Sequence, residues 1–555
     1  MDRPSAPRAP EGLSRGTVTL RCCAASGCRS AGGEALWAAL QRAGAGPPVT
    51  LKAVGCLRLC GRGPLVALEA AGAECLYGGL GPEQAPALVE HARQAEQAEQ
   101  LHPVPDPDSD PVPDLDPLAP WRLDPDHPFF ALQRPVVLES CGRLDPESID
   151  DALAHGAYAQ LRRCRESLSP EQVRAEIRRS GLRGRGGAGY PTGLKWDTVA
   201  LQPPGRRFVV CNADEGDPGA FMDRSVLEGD PHRLIEGMAI AAFAVGAAEG
   251  YVYVRAEYPL AIARLRHALA QARERGLLGR GLPGGQGLEI AVRVGAGAYV
   301  CGEETALLAS IQGQRGTPRV RPPYPAQAGL WGAPTLINNV ETLAAVPTIL
   351  REGGAWYAAI GTEGSRGTKV FSLSGAVRHT GLVEVPMGTS LRTVVETMGG
   401  GAPEGPVKAV QTGGPSGGCI PAALLDTPVD YESLRALGSM MGSGGMVVIG
   451  ESTAMPELAR HFMRFNVAES CGKCLPCRAG TVQLAGLLDR FCERRADPAD
   501  LERLEQLCAM VGATSLCGLG QAAPNPVLST LRWFRHEYEA ALRDPAPQGA
   551  TPWAL

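Results

Sequence analysis

Cys471-Gly-Lys-Cys474-Leu-Pro-Cys477 places three thiols in a C-x2-C-x2-C run, and Cys517 follows in Ser515-Leu516-Cys517-Gly518. A run this tight wraps one corner of a [4Fe–4S] cube and leaves the fourth thiolate to come from elsewhere in the chain. The intervening stretch reads largely as helix, with residues 481–494 and 500–511 periodic, so the chain goes out and returns to the same cube. Zinc is the competing reading, but it prefers paired C-x2-C units. A second set, Cys23-x4-Cys28 and Cys56-x3-Cys60, has each pair at the end of a strand-like segment. That spacing suits a [2Fe–2S] rhomb, two thiolates per iron. Cys22, next to Cys23, leaves the first ligand ambiguous. Zinc or a cluster-free remnant are the alternatives there.

Gly184-Arg185-Gly186-Gly187-Ala188-Gly189 satisfies G-x-G-x-x-G. A Rossmann site needs a strand directly before such a loop, whereas residues 170–180 read as an amphipathic helix, so a standard Rossmann domain is disfavoured. The glycines still offer backbone N–H groups to a phosphate or a flat ring. Three further loops end apolar, strand-like runs in Asn, Asp, Glu and Gly: Cys211-Asn-Ala-Asp-Glu-Gly-Asp-Pro-Gly219, Gly297-Ala-Tyr-Val-Cys-Gly-Glu-Glu-Thr305 and Ile337-Asn-Asn-Val-Glu-Thr342. Such loops hydrogen-bond a polar ring edge or a ribityl chain. The adjacent carboxylates Glu303 and Glu304 also suit acid–base work or Mg²⁺, and any one loop reads equally as a polar turn with a helix N-cap.

These groups need several scaffolds. With 555 residues the chain holds roughly three or four domains. The periodicity predicts strands at 17–21 and 49–54, a helix at 35–41, a hairpin from 65–70 and 74–77, and a helix at 82–97. Residues 99–128, rich in Pro and Asp, read as an extended linker. Strands are expected at 369–373 and 382–385, and helices dominate from Ala454 to about Leu542. Residues 1–15 and 546–555 read as tails. The composition is 44% hydrophobic and 20% charged, with net charge −5, which calls for neither nucleic acid nor an anionic membrane. The N-terminus has no apolar signal segment, so the 17 cysteines read as metal ligands or buried thiols rather than disulfides, and the expected compartment is cytoplasmic. The most apolar stretch, 237–248, is too short to span a membrane and reads as a buried core helix.

Taken together, residues 129–542 resemble the 51 kDa-type NADH-binding flavoprotein subunit of respiratory complex I, a family that also supplies the NADH module of NAD-linked hydrogenases and formate dehydrogenases. The motifs are Gly181–Trp196, the acidic loop, Cys301-Gly-Glu-Glu-Thr305, Asn338-Asn-Val-Glu-Thr342 and Glu469-Ser-Cys-Gly-Lys-Cys474. The N-terminal set, with Gly55-Cys56-Leu-Arg-Leu-Cys60-Gly-Arg-Gly-Pro64, resembles a thioredoxin-like ferredoxin domain, as in hydrogenase and formate dehydrogenase β-subunits. The implied architecture is α/β and multi-domain: a thioredoxin-like [2Fe–2S] domain at 16–98, a non-standard α/β domain for FMN and NADH at 129–360, a β-grasp-like (SLBB) domain at 361–450, and a helical [4Fe–4S] bundle at 451–545.

By the resemblance, FMN is held by Gly184, Arg185, Gly186, Lys195, Asn212, Asp214, Glu215, Gly302, Glu303, Asn338, Asn339 and Thr342. NAD(H) contacts Tyr190, Asp217, Glu304, Arg321 and Tyr324. Cys471, Cys474, Cys477 and Cys517 hold the [4Fe–4S] cluster, and Cys23, Cys28, Cys56 and Cys60 the [2Fe–2S] cluster. Family members often carry Phe at Tyr190 and Tyr324, Lys at Arg321 and an aromatic at Thr198. The implied activity is that of an NADH dehydrogenase or diaphorase subunit. Hydride passes directly between NAD(H) and FMN without a catalytic side chain, Lys195 and Arg185 stabilise the reduced flavin, and single electrons go on to partner subunits. The implied partners are a 24 kDa-type [2Fe–2S] subunit and a hydrogenase or formate dehydrogenase catalytic subunit. The rival readings are a complex I NADH:quinone oxidoreductase subunit and a non-enzymatic iron–sulfur scaffold.

Overall fold

A computed structural model describes residues 18–44, 46–70, 72–97, 117–279 and 287–543. The expected tails, and the linker as far as residue 116, lie outside the described residues. In the N-terminal part, Val18–Cys23 pairs in parallel with Val49–Val54 and antiparallel with Leu65–Ala70, which forms a hairpin with Ala73–Gly78. Helices Glu34–Arg42 and Ala85–Gln97 pack with this sheet. One expectation needs correcting: residues 117–128 are not linker. Leu118 is buried, and Arg122–Leu123 adds a fifth strand beside Ala73–Gly78.

The central sheet has four parallel strands in the order Glu289–Gly295, Glu249–Arg255, Phe208–Ala213, Thr335–Asn339. By chain position this order is 3-2-1-4, which is the start of a doubly wound sheet. Its switch point lies between Phe208–Ala213 and Thr335–Asn339, where chemistry gathers outside the carboxyl ends of the strands. The helix Pro231–Val245 is buried nearly all round and packs against Val340–Glu352, as an apolar-faced internal helix must. The glycine loop is not part of this sheet. It follows the helix Pro170–Ser180, which starts with a capping box at Ser169 and Gln172 and ends at left-handed Gly181.

A second five-stranded sheet runs Gly381–Pro386, Thr368–Gly375, Gly445–Gly450, Val407–Thr412, Gly418–Pro421, with one parallel pair at its centre. The C-terminal part is helical: Met455–Glu469, Leu475–Cys492, Pro498–Thr514, Gly518–Ala522 and Asn525–Ala540. Among the described residues no helix is long and apolar enough to cross a membrane.

Candidate functional site

Parallel strands deliver their carboxyl ends to one edge, and that is why three acidic loops distant in sequence meet. Asn212 and Asp214 lie at the end of Phe208–Ala213, and Asn338 and Asn339 end the neighbouring strand. The loop after Glu289–Gly295 brings Gly302 to them: the Asn212 amide donates to the Gly302 carbonyl (2.9 Å). Asn338 is fixed from behind, accepting from the Trp196 indole at 2.9 Å. The glycine loop closes on this edge, with the Arg185 N–H donating to Thr342 Oγ1 at 2.8 Å. A methyl on Gly186 would lie 3.1 Å from the Asn339 side chain, so only glycine leaves this approach open.

Asp214 is the most exacting group here. Its Oδ1 accepts from Arg255 at 3.0 Å, while Oδ2 is buried without a hydrogen-bond partner. Burial pushes its carboxyl up to about 7, against the opposing pull of Arg255. A buried acceptor left open at the strand switch point fits the hydroxyls or ring N–H of a flavin, so the residues present suit FMN.

Other expected ligands have their side chains occupied. Arg185 corrects an expectation: its guanidinium is buried and turned inward, donating to the carbonyls of Thr368 (3.0 Å) and Arg366 (2.6 Å) and to the Tyr357 hydroxyl (3.0 Å). It therefore cannot stabilise a reduced flavin directly, and its loop offers backbone instead. Glu215 accepts from the N–H groups of Asp223 (3.0 Å) and Arg224 (3.1 Å) at the start of helix Met222–Gly229. Glu303 caps Glu304–Ile311 through Thr305 and Ala306. The Asn339 carbonyl caps Val340–Glu352, and its amide donates to Asp223 at 2.5 Å. The N-cap reading of these loops and the ligand reading thus divide the same residues between them.

Tyr190, Lys195, Glu304, Arg321 and Tyr324 come together in one array. Arg321 pairs with Glu304 at 2.8 Å, and Lys195 approaches the same carboxylate at 3.8 Å. Lys195 lies over Tyr190, and Arg321 over Tyr324. Both tyrosines are half exposed, at 50% and 52%, which leaves ring faces free for stacking. Asp217 is not in this array. Its oxygens accept from Tyr299 (2.7 Å) and Ser443 (2.9 Å), tying the acidic loop to the second sheet. Sequence reasoning passed over Tyr299. Its place in the Gly297–Thr305 motif was the available signal, and the structure sets it between Asp217 and the cluster arm, where its N–H donates to Glu469 at 2.9 Å.

Cys471, Cys474, Cys477 and Cys517 line one cavity with Val300, Pro318, Ser470, Lys473, Leu516 and Leu519. Among the described residues no three His, Cys, Asp or Glu side chains converge tightly enough to chelate one ion. Four thiols lining one pocket are the donor set that a cube of iron and sulfide takes. Burial pushes the Cys477 and Cys517 thiols up, and metal binding would release their protons. In the N-terminal set, Cys56 and Cys60 lie 3.9 Å apart, and Cys23 sits in hydrogen-bonding range of Cys28 and Cys56. Strand alternation separates the two neighbours: Cys22 packs with Val18 and Leu20 in the core on one face, and Cys23 belongs to the core on the other, where Cys28 and Cys56 lie.

Comparison with known proteins identifies this arrangement. The NADP-reducing hydrogenase subunit HndC of Solidesulfovibrio fructosivorans is 52% identical over 411 residues, 74% of this chain and 84% of HndC. The Nuo51 FMN-binding domain matches residues 177–348. The chain belongs to the Nuo51 flavoprotein family. The family's other parts match too: the SLBB domain at 370–420 and the NADH-ubiquinone oxidoreductase-F iron-sulfur binding region at 457–541. An NADH-quinone oxidoreductase subunit of Rhizobium meliloti (strain 1021) is 46% identical over 412 residues, 74% of this chain and 98% of that one. A chain of an NAD+-reducing [NiFe]-hydrogenase, solved in the H2-reduced state, superposes with a TM-score of 0.66 at 33% identity, covering 96% of this chain and 86% of its own. The protein is thus an oxidoreductase subunit with an FMN-binding domain and a [4Fe–4S]-binding region.

Proposed function

We propose that this chain is the diaphorase subunit of a multi-subunit, hydrogenase-type oxidoreductase, exchanging hydride with NAD(H) and passing electrons singly to partner chains. One observation carries the reading: a single loop serves both centres. Val300 lines the cysteine cavity, and Gly302, two residues on, takes the Asn212 amide at the acidic edge. FMN, when bound, supplies the exchange between a two-electron hydride and single electrons. The chain's own residues position it. Gly186 leaves room for close approach, Asp214 Oδ2 accepts a donor, and Asn338 is held rigid by Trp196. Tyr190 and Tyr324 offer stacking faces to the dinucleotide, and the Glu304–Arg321 pair meets its ribose and phosphate edge. Cys23, Cys28, Cys56 and Cys60 would hold a [2Fe–2S] cluster, adding an electron station on the far side of the flavin edge.

Coverage favours the hydrogenase setting. The curated relatives align with about three quarters of this chain, whereas the NAD+-reducing [NiFe]-hydrogenase chain aligns with 96% of it and so includes the N-terminal part. In this reading the partners are a 24 kDa-type [2Fe–2S] subunit and a hydrogenase catalytic subunit. The test is anaerobic titration of the purified protein with NADH. The expected result is stoichiometric bleaching of bound FMN; a chain without flavin, or flavin that NADH leaves unbleached, would overturn the proposal.

A further inference from the structure

The cluster cavity and the nucleotide array are joined by one strap, residues 315–324. At its start, Arg315 Nη2 donates to the Cys471 carbonyl at 3.1 Å. Lys473, inside the cysteine run, donates its ammonium to the Pro318 carbonyl at 2.5 Å, and both residues line the cavity. One residue on, the Arg319 N–H donates to Thr305 Oγ1 at 3.0 Å, and that hydroxyl in turn donates to Glu303 at 2.5 Å. The strap then delivers Arg321 to Glu304 and ends at the half-exposed Tyr324 ring. The ligand-bearing arm and the stacking residues are thus held by the same ten-residue segment, with a lysine's mobile point charge at the junction.

We propose that this strap couples the charge of the [4Fe–4S] cluster to nucleotide affinity, with Lys473 as the positioning residue that transmits it. The inference rests on the functional reading above. An electron added to a cluster held by these four cysteines would place one further negative charge beside Lys473, with no bond formed or broken. The ammonium is drawn toward the thiolates and away from the Pro318 carbonyl. The strap loosens, Arg321 and Tyr324 lose their placement, and the oxidised nucleotide leaves more readily. Coupling is reciprocal, so bound nucleotide must make the cluster harder to reduce by the same factor.

The measurement is an EPR-monitored redox titration of the [4Fe–4S] signal in the holoprotein, with and without saturating ADP-ribose, which occupies the site but carries no hydride. In wild type, ADP-ribose is expected to lower the midpoint potential by about 60 mV, equivalent to roughly tenfold in affinity for a one-electron couple. In Lys473→Met and in Arg315→Ala the signal is expected to persist and the shift to vanish. No shift in wild type, or the same shift in both variants, would overturn the coupling. Failure of the functional reading is distinguishable, because then NADH would not bleach the flavin at all.

Discussion

Asp214 has one oxygen on Arg255 and the other buried and open. Its carboxyl titrates near 7 in the folded chain, held up by burial, and near 4 when unfolded. Between those values the folded state binds a proton that the unfolded state lacks, so stability falls as pH rises from about 4 to about 7 and is level above that. Removing this carboxylate removes that slope. In the flavin-free protein, Asp214→Asn is expected to be more stable than wild type above about pH 8, by on the order of 4 kcal/mol, with little difference near pH 4. Thermal unfolding at the two pH values checks this, and equal slopes for both proteins would contradict it. The same variant should bind FMN more weakly, since an amide presents a donor on one side where the carboxylate presents acceptors. At this scale the sequence was legible in type but not in direction. Asn212 and Asp214 stand at the end of Phe208–Ala213, and Cys471, Cys474, Cys477 and Cys517 line one cavity. Arg185, Glu215 and Glu303 do not point as expected, because each satisfies buried carbonyls or a helix N-terminus, a demand set by neighbours distant in sequence.

The elements that aim these residues are held by close helix and strand contacts. Gly237, in Pro231–Val245, faces the backbone of Val340–Glu352, and a methyl there would collide with the Leu343 carbonyl oxygen. Gly237→Ala is expected to cost about 1–3 kcal/mol through overpacking and to disturb the helix that begins at Asn339. Denaturant unfolding with flavin fluorescence would show both effects; an unchanged midpoint would refute the packing argument. Local periodicity found the buried stretch 237–248, the helix 170–180, the N-terminal hairpin and the C-terminal bundle, since each follows from its own residues, but not the helix Val340–Glu352. It could not find the strand order of the central sheet. The glycine loop lies outside that sheet, so the usual fingerprint was absent although the doubly wound order was present. Nor could it see that Arg122–Leu123 pairs across the N-terminal sheet, because two residues carry no period.

Across the whole molecule the parts converge on the acidic edge. Helix Met222–Gly229 begins at the Glu215 cap and ends against the N-terminal part, spanning about 12 Å for its eight residues. At its far end Glu228 accepts from the Ser26 N–H (2.8 Å) and hydroxyl (2.5 Å), and Gly55 lies directly on Gly229. The Gly61 N–H also donates to Thr380 (2.8 Å), docking the Cys56–Cys60 loop on the second sheet. A side chain at Gly55 has nowhere to go, so Gly55→Val is expected to separate the N-terminal part from the body. Faster proteolytic release of that part, with NADH bleaching of the flavin retained, would be the outcome; unaltered proteolysis would show that the contact is not decisive.

In the function proposed above, electrons pass from nicotinamide to flavin to the Cys471–Cys517 cavity. Rapid-freeze EPR after mixing with NADH, in wild type and in Cys517→Ser, tests this most directly. Wild type should show flavin reduction followed by a reduced [4Fe–4S] signal. Cys517→Ser should bleach its flavin at the wild-type rate, show no such signal and fail to reduce partner chains. Onward electron transfer at the wild-type rate in Cys517→Ser would contradict the account.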